Sequence, residues 1–465
     1  MESQQKLKLS EILGFGVGLL PGTANALLAA FLTMFYTDSL KMAAGAVGTM
    51  LLVSKLFDGI TDLIAGNLID KTKTKWGKAR PWLLWLSVPL GISLALIFFV
   101  PINASATGKI IYAFLTYNLF SSILYTMVGV AGNTMMPLMT QNGAERGKLA
   151  VVALLFGLGG TILGMSATFP FIFAMGGDVR AWRIVFCVYG AISTLGLLLS
   201  FLFTRERVQS VESVAAANDA KAAQTKMTFK EGLKNFVKNK YFLFALFVVL
   251  MMNLANNVNS GSQTYFYKYA MNDPMLTTKL NLVNLVPTIL SVLFLAQPCL
   301  KFLGKKKSVY LGASLQAVSY AIRGIAAMNG NMTLLVAGTV LGALATGPLA
   351  IPVNLLVADA VDYGEYITNK RIEGTGSAIV SFSQKVTSGL AAALVGWILQ
   401  WTGYVADTQQ SAATLAGINT MFAWLPMAIL VAIMLGYVLI YRYDKEEAMV
   451  LEELENRKKQ AGTEN

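Results

Sequence analysis

The sequence contains no histidine and only two cysteines among its 465 residues. Without histidine, the commonest metal ligand and proton shuttle is missing, which argues against a zinc or haem enzyme. Cys187 and Cys299 both lie in apolar stretches, so we expect small buried hydrophobic side chains and no disulfide framework. No pairing of a nucleophile with a base is convincing either. The sequence therefore predicts no enzyme.

Charge is also scarce. Charged residues make up 13% of the chain, against about 25% in soluble domains. Hydrophobic residues make up 55%, and the mean hydropathy is +0.57. Apolar runs such as "PWLLWLSVPLGISLALIFFVP" have the roughly 20 residues that cross a hydrocarbon core of about 30 Å, and they lack the strict alternation of a β-barrel. We predict an all-α polytopic protein, multi-pass in the cell (inner) membrane.

The apolar runs predict twelve membrane-spanning helices, near residues 11–36, 43–66, 81–101, 109–138, 149–174, 182–204, 241–268, 279–301, 307–328, 332–356, 374–400 and 415–441. The longest polar interruption separates them six and six. We therefore predict four parts: an N-terminal six-helix bundle (1–204), a cytoplasmic linker (205–240), a C-terminal six-helix bundle (241–441) and a cytoplasmic tail (442–465).

The net charge of +12 is distributed unevenly along this topology. If the N-terminus is inside, only six of the 37 lysines and arginines lie in outer loops or at outer helix ends: Lys41, Lys109, Arg180, Arg183, Lys268 and Lys279. This asymmetry predicts that both termini are cytoplasmic. The basic excess is thus a topology signal. It indicates a lipid bilayer as the surroundings and implies neither nucleic acid nor a protein partner.

Three charged residues lie inside the second predicted helix, within "SKLFDGITDLIAG" (54–66). Residues advance by about 100° each on an α-helix, so Lys55, Asp58 and Asp62 fall within an arc of roughly 60°. Each charge costs on the order of 2.5–3.5 kcal/mol at the centre of a membrane helix. Structural ion pairs between helices are one interpretation, but three charges on one face favour a functional one. One ammonium and two carboxylates leave a net negative charge, which a single H⁺ or Na⁺ would neutralise.

Two further charges lie within predicted helices. Lys385, on the eleventh, could neutralise the spare carboxylate or hold an anionic substrate. Arg323 is near the outer end of the ninth, where we expect its long side chain to reach the membrane surface.

The seventh predicted helix carries a polar face in "MMNLANNVNSGSQTY". Its members recur at helical spacing: Asn253, Asn256, Asn257, Ser260, Gln263 and Thr264. Amides and hydroxyls offer the paired donors and acceptors that sugar hydroxyls need, although hydrogen bonding between helices is the alternative. Four amides favour a cavity wall. Asn25, Asn133 and Asn354 could face the same space.

Two long motifs, "LFDGITDLIAGNLIDKTKTKWGKARPW" and "LVADAVDYGEYITNKRIEGTGSAIVSFSQK", together with "FYTDSL", resemble the glycoside–pentoside–hexuronide:cation symporters. This is the melibiose permease family within the major facilitator superfamily. The resemblance covers nearly the whole chain. It implies the major facilitator fold, with a site near the midplane between paired halves. It also implies cation-coupled transport of a small sugar or sugar acid by alternating access, with no cofactor except the coupling ion.

The resemblance also implies roles for individual residues. Asp58 and Asp62 match the paired aspartates that hold the coupling cation, so Na⁺ could bind there. Lys55 matches the basic residue one turn earlier, and Thr126 resembles a threonine beside the cation. Lys385 is similar to a lysine near the sugar and cation sites. A cytoplasmic gate is implied in the loops after the second and tenth helices: Asp70, Lys78, Arg80, Asp362, Glu365 and Arg371.

The chain departs from melibiose permease at several places. The first helix has no acid in "GVGLLPGTANALLAAF", and Gly129 stands where the fourth helix would carry one. These losses favour H⁺ over Na⁺ as the coupling ion. We expect the cargo to be a glycoside, a pentoside, or a hexuronide such as a glucuronide. The alternatives are a uniporter, an exporter or a lysolipid-type carrier on the same fold.

Overall fold

The computed structural model describes residues 6–208, 239–368 and 373–439, and parts of 441–457. Within these ranges the chain is helical except for short connections, and the isolated bridge between Thr74 and Gly77 is the sole strand-like pairing. Most of the predicted linker (205–240) and much of the predicted tail (442–465) lie outside the described residues. The division of the chain at those boundaries stays a prediction.

The described residues form twelve helices, as predicted: α1 (Leu9–Ser39), α2 (Ala44–Lys71), α3 (Arg80–Leu96), α4 (Ala106–Met139), α5 (Gly143–Ala174), α6 (Val179–Phe203), α7 (Lys240–Ala270), α8 (276–303), α9 (305–329), α10 (Met332–Thr368), α11 (Glu373–Trp401) and α12 (Ala412–Leu439). Helices α8 and α9 meet at Gly304, whose φ of 75° only glycine adopts readily. Nine helical stretches of the described chain are long and apolar enough to cross a membrane. Helix α2 has 28 residues, which is also sufficient at about 1.5 Å per residue.

Large apolar side chains, such as Leu163 and Leu293, are exposed on the outer faces of these helices. In a membrane protein these faces contact lipid, so apolar exposure costs nothing there. Cys187 is also exposed, on α6, so our prediction that it is buried is wrong. Contact with lipid explains the exposure of this apolar side chain. Cys299 is half-buried, and both cysteines are free thiols.

The described chain divides into two compact units. The first draws on Met1–Asn218, Ser260–Leu282 and Ala392–Ile418; the second draws on Asp219–Asn259, Val283–Ala391 and Asn419–Asn465. The first has an aromatic core, in which the rings of Phe98 and Phe186 stack with centroids 3.8 Å apart. In the second, Phe244 of α7 packs edge-on against Tyr437 of α12, with ring centroids 5.0 Å apart.

The ends of α1 and α7 share one backbone conformation. Each helix ends in a π-helical turn that begins with Phe-Tyr, Phe35–Ser39 in α1 and Phe266–Ala270 in α7. Each turn is followed by a residue with positive φ, Lys41 at 54° and Asn272 at 53°. Two halves derived from one repeat would have this correspondence, since the first and seventh helices are then equivalent.

Within the first unit, α2 and α11 approach until their backbones touch. A methyl group on Gly396 would lie 2.3 Å from the carbonyl oxygen of Ala44, and one on Gly48 would lie 3.0 Å from that of Ala392. Glycine permits this distance because it has no side chain. The contact brings the outer part of α11 against the helix that carries the charged stripe.

Candidate functional site

The charged stripe lies on α2, where Lys55 and Asp58 form a buried ion pair. The Lys55 ammonium is 2.7 Å from Asp58 Oδ2, and the side chains are 17% and 5% exposed. Their spacing of three residues places them side by side on the helix. A buried pair is stable only where further hydrogen bonds complete its geometry.

Two serines of α4 provide such hydrogen bonds. Ser122 donates to Asp58 Oδ1, and Ser121 Oγ lies 3.4 Å from Asp58 Oδ2. Lys55 Nζ is 3.2 Å from Ser121 Oγ and 5.4 Å from the centre of the Tyr117 ring. The carboxylate is therefore held by one positive charge and two hydroxyl donors.

A π-helical turn of α4, Leu119–Tyr125, carries both serines. Such turns alter the direction of the side chains and are frequent at functional sites. Asn118 supports this arrangement: its Nδ2 donates to Ser54 Oγ at 2.8 Å, and its Oδ1 lies 2.9 Å from Ser122 Oγ. The sequence did not predict roles for Ser54, Asn118, Ser121 and Ser122, although the polar spacing in "YNLFSSILYT" indicated the last three.

Asp62 is close in sequence to Asp58, and Thr126 is close in sequence to Ser121 and Ser122. Thr126 Oγ1 donates to the backbone carbonyl of Ser121 at 3.2 Å, so it stabilises the turn that carries the serines. Asp62 is half-buried, one helical turn after Asp58 on α2. The roles of both in cation binding stay predictions.

The amides of α7 have different surroundings. Asn253 and Asn257 each donate to the backbone carbonyl four residues earlier, at 3.0 and 2.8 Å. Gln263 Nε2 lies 3.2 Å from Asn281 Oδ1 of α8. Asn256 is exposed and lines a cavity. The predicted polar face thus includes local hydrogen bonds as well as a cavity wall.

This cavity of about 130 Å³ lies within the second unit. Its polar lining comes from α7, α9 and α10, and its apolar lining includes Met252 and Leu430; the polar members are Asn256, Gln316, Tyr320 and Thr346. An aromatic ring beside amides and a hydroxyl offers both apolar and hydrogen-bonding contacts. The sequence did not predict roles for Gln316, Tyr320 and Thr346, because isolated polar residues on apolar helices form no recognisable pattern.

The other predicted binding residues lie on α1, α4, α10 and α11. Asn25 is half-buried on α1, Asn133 is exposed on α4, and Lys385 is half-buried on α11. The side chain of Asn354 lies outside the described part of the chain. Arg323 is 8% exposed, and its guanidinium lies 4.1 Å from the centre of the Phe422 ring. Our prediction that it reaches the surface is wrong, because a cation–π contact holds it inside.

A cluster of charged and phenolic side chains joins the outer ends of α1, α7 and α11 within the first unit. Asp38 is 5% exposed and accepts hydrogen bonds from Lys268 Nζ at 2.6 Å and Tyr269 at 2.7 Å. Tyr404 also donates to Asp38, and Lys268 donates to Asp407 at 2.7 Å. We call these five residues the outer cluster. Of them, the sequence drew attention only to Asp38, within "FYTDSL", and to Lys268, as a basic residue at an outer helix end.

Two members of the outer cluster, Tyr404 and Asp407, lie in the loop after α11. Burial works to raise the pKa of Asp407, but hydrogen bonds from Lys268 and Lys41 outweigh it and lower that pKa. Burial raises the pKa of Tyr404, as do Tyr265 and the Asp38 carboxylate. Tyr404 therefore keeps its proton and Asp407 keeps its charge at neutral pH.

The cytoplasmic turn after α2 is held by hydrogen bonds within the first unit. Lys78 Nζ lies 3.1 Å from Asp70 Oδ1. Arg80 Nε donates to the carbonyl of Phe201 at 2.8 Å, and its guanidinium lies 4.5 Å from the centre of the Phe201 ring. The gating roles predicted for Asp70, Lys78 and Arg80 stay predictions.

Glu206, which sequence analysis missed, closes this turn. Its carboxylate accepts hydrogen bonds from three consecutive backbone N–H groups, those of Lys78, Ala79 and Arg80, at 3.0, 2.8 and 2.7 Å. These groups begin α3, and a helix N-terminus has N–H groups without partners in the helix and a partial positive charge. The Glu206 carboxylate accepts hydrogen bonds from these N–H groups, and its negative charge lies beside the partial positive charge of the helix N-terminus.

On the second unit, α10 is longer than predicted. It continues to Thr368, so Asp362 and Glu365 lie on a helix, and our prediction of a loop there is wrong. The reason is local, since no proline follows Pro352 in this helix. Asp359 of the same segment pairs with Lys305 at 2.7 Å, and Lys305 also pairs with Glu447 at 2.7 Å. Arg371 lies outside the described residues.

Comparison with known proteins gives four concordant matches. A family model described as MFS/sugar transport protein matches residues 14–445. The chain is 32% identical to an isoprimeverose transporter of Lactiplantibacillus pentosus, over 93% of this chain and 88% of the relative. It is 30% identical to a glucuronide carrier protein homolog of Escherichia coli (strain K12), over 98% and 97%. The xylose transporter of E. coli in an inward-open conformation superposes with a TM-score of 0.62 at 15% identity, over 92% and 95% of the two chains.

The superposition with the xylose transporter, at 15% identity, shows only that the two proteins share a fold. The family model covers most of the chain, and the two relatives are aligned along nearly their whole lengths. The recognition of a glycoside–pentoside–hexuronide type of sequence, the twelve-helix fold and the multi-pass membrane location are confirmed. The chain belongs to the MFS/sugar transport family of the major facilitator superfamily, whose members are transporters and not enzymes.

Proposed function

We propose that this sugar transporter carries a glycoside, a pentoside or a hexuronide together with a coupling cation, H⁺ rather than Na⁺, by alternating access. The observation that carries the proposal is the Lys55–Asp58 pair on α2, completed by Ser121 and Ser122. Each such charge costs on the order of 2.5–3.5 kcal/mol within a membrane helix. A hydrogen bond with a purely structural role would not require charged groups inside the membrane.

The coupling ion follows from the number of acidic groups. The stripe has two carboxylates and one ammonium, so one added H⁺ makes it neutral. A cation that binds one conformation better than another shifts the balance between them. The helix-4 position of a third acid is occupied by Gly129, and Na⁺ loses an oxygen ligand there. A proton needs only one carboxylate.

Two observations support a sugar as cargo. The relatives at 32% and 30% identity are named for isoprimeverose and for a glucuronide. The cavity beside Asn256 combines Gln316 and Thr346 with the ring of Tyr320, which suits a molecule with hydroxyl groups and an apolar ring face. Lys385 would bind the carboxylate if the cargo is a hexuronide.

In this mechanism the outer cluster holds the outer gate closed. Its ion pairs join α1, α7 and α11, and sugar entry from outside requires that they break. The cytoplasmic residues Asp70, Lys78, Arg80, Asp362, Glu365 and Arg371 are assigned to the opposite gate. The alternating opening of two gates is the common mechanism of transporters with inverted or paired repeats.

Uptake into membrane vesicles tests the proposal. Labelled glycosides, pentosides and hexuronides are supplied under an inward H⁺ gradient, an inward Na⁺ gradient or neither, with wild type beside Asp58→Asn. We expect accumulation of one class under the H⁺ gradient only, lost in the variant. Equilibration that is indifferent to both gradients would identify a uniporter, and transport only outward would identify an exporter.

Lys385→Gln tests the class of cargo in the same assay. If the cargo is a hexuronide, this variant should lose uptake of acidic sugars and retain binding of their neutral analogues. An equal loss for neutral and acidic sugars would remove the support for carboxylate binding by Lys385.

A further inference from the structure

A broad apolar groove lies between α2, α4 and α11 in the first unit. Its volume is about 850 Å³, within the range of about 300–1,000 Å³ that small-molecule sites occupy. Its lining includes members of all three helices: Ala46, Val53, Ile111, Trp397 and Trp401. Val53, Ile111 and Trp401 are exposed, so the groove opens on a lipid-facing side of the helices. In a membrane it is therefore filled by hydrocarbon and not by water.

The ring of Trp397 forms part of the groove wall, and its polar atom is satisfied within the protein. Trp397 Nε1 donates to Thr49 Oγ1 of α2 at 3.0 Å, and the ring centroids of Trp397 and Trp401 are 6.3 Å apart. Tryptophans are enriched where membrane helices meet the lipid headgroups. Trp401 ends α11 and Ala44 begins α2, so this end of the groove lies at the outer surface of the membrane.

Lys109 places a positive charge at the same end of the groove. It directly precedes the lining residues Ile110 and Ile111, and its Nζ donates to the backbone carbonyl of Leu40 at 3.2 Å. Leu40 is three residues before Ala43, where the lining on α2 begins. An ammonium has three N–H donors, so Lys109 retains donors for an anionic group.

The neighbouring charges neutralise one another, whereas Lys109 has no carboxylate within ion-pair distance among the described residues. Lys41 pairs with Asp407. Lys268 pairs with Asp38 at 2.6 Å and with Asp407 at 2.7 Å. These five side chains carry three positive charges and two negative ones, so one positive charge remains at the outer end of the groove. Such a charge attracts a phosphate group.

We propose that this groove binds one anionic phospholipid of the outer leaflet. The phosphate contacts Lys109, and one acyl chain lies between α4 and α11 along Phe114 and Trp397. A phospholipid suits the site because its hydrocarbon matches the apolar lining and its phosphate matches the positive charge that no described carboxylate neutralises. The lipid contacts α2, α4 and α11 together, and it is a ligand distinct from the sugar and the coupling ion.

Native mass spectrometry of the purified full-length protein tests the site. Bound lipid is counted during titration with phosphatidylglycerol or with phosphatidylcholine of the same acyl chains. The variants are Lys109→Gln, Lys109→Arg and Ala46→Trp, the last of which fills the groove. Lys279→Gln is the charge control, because Lys279 is another outer lysine and pairs with Asp273 at 2.9 Å. Leu163→Trp is the size control, because Leu163 is exposed on α5, away from the groove.

We expect wild type to bind its first phosphatidylglycerol about fivefold more tightly than phosphatidylcholine, since a basic residue beside an anionic lipid contributes about 1 kcal/mol. Lys109→Gln should lose this preference, and Lys109→Arg and Lys279→Gln should keep it. Ala46→Trp should abolish the first binding step, and Leu163→Trp should not. A preference that survives in Lys109→Gln, or that Lys279→Gln removes equally, would overturn the inference.

A second measurement decides the matter if Ala46→Trp does not fold. Phosphatidylglycerol with brominated acyl chains quenches the fluorescence of tryptophans that it contacts. The quenching that saturates at one lipid per protein should disappear in the double variant Trp397→Phe/Trp401→Phe. Quenching equal to that of wild type would place the acyl chain elsewhere and overturn the inference. A lipid-free dimer in the mass spectra would assign the groove to a second copy of the chain and would also overturn it.

Discussion

The carboxylate of Asp38 lies 2.6 Å from the ammonium of Lys268, and this pair joins the outer ends of α1 and α7. Asp38 is 6% exposed in its side chain and Lys268 is 24% exposed. Tyr269 and Tyr404 donate to the same carboxylate. The buried pair is therefore the centre of the outer cluster.

Asp38→Ala should destabilise the protein by about 2 kcal/mol, because Lys268 keeps Asp407 but loses its buried partner, and Tyr269 loses an acceptor. The thermal unfolding midpoint in detergent measures this loss. Lys41→Ala is the control, since the Lys41–Asp407 pair is more than half exposed and such pairs contribute about 0–1 kcal/mol. Equal losses in the two variants would contradict a special role for Asp38.

The contribution of Asp407 to stability should not change between pH 5.5 and 7.5. The pKa of Asp407 is lowered by Lys268 and Lys41 against the effect of burial. A carboxylate with a lowered pKa adds stability that is complete above its ordinary value of about 3.9 and is lost as the pH falls through the folded value. Asp407→Asn should therefore lower the unfolding midpoint equally at pH 5.5 and 7.5. A smaller difference at pH 5.5 would show that Asp407 titrates in that range.

Ser122→Ala should slow gradient-driven uptake at least tenfold, because Asp58 loses a hydroxyl donor in a buried site. Hydrogen bonds to charged groups contribute about 1.5–3 kcal/mol, and 1.4 kcal/mol corresponds to about tenfold. Ser93→Ala is the control: Ser93 is equally buried but donates to the carbonyl of Leu90 in its own helix. Similar uptake by both variants would contradict the assignment of Ser122.

Asn256→Ala should raise the half-saturating sugar concentration by about tenfold, as expected for the loss of one hydrogen bond of about 1.4 kcal/mol. Asn256 lines the cavity of the second unit. Asn259 is the control, because its Nδ2 donates to the backbone of Phe422 at 2.6 Å. Asn259→Ala should lower stability without changing sugar affinity. The opposite pattern would place the sugar elsewhere.

The charges of α2 could be predicted from the sequence because a charge inside an apolar run is rare and helical spacing places its neighbours. The partners on α4 could not be predicted, since a π-helical turn directs Ser121 and Ser122 to Asp58 and ordinary helical periodicity does not anticipate it. The outer cluster was missed because Asp38 and Lys268 are 230 residues apart in sequence. Arg323 was misjudged because the ring of Phe422 is distant in the chain.

The most direct test of the account is proton movement on addition of sugar. De-energised cells or vesicles containing the transporter are suspended in lightly buffered medium, the sugar identified by uptake is added, and external pH is recorded. The account predicts immediate alkalinisation with wild type, none with Asp62→Asn, and the same signal in NaCl and choline chloride. Sugar entry without any change of pH, or alkalinisation that persists in Asp62→Asn, would contradict proton coupling through the α2 stripe.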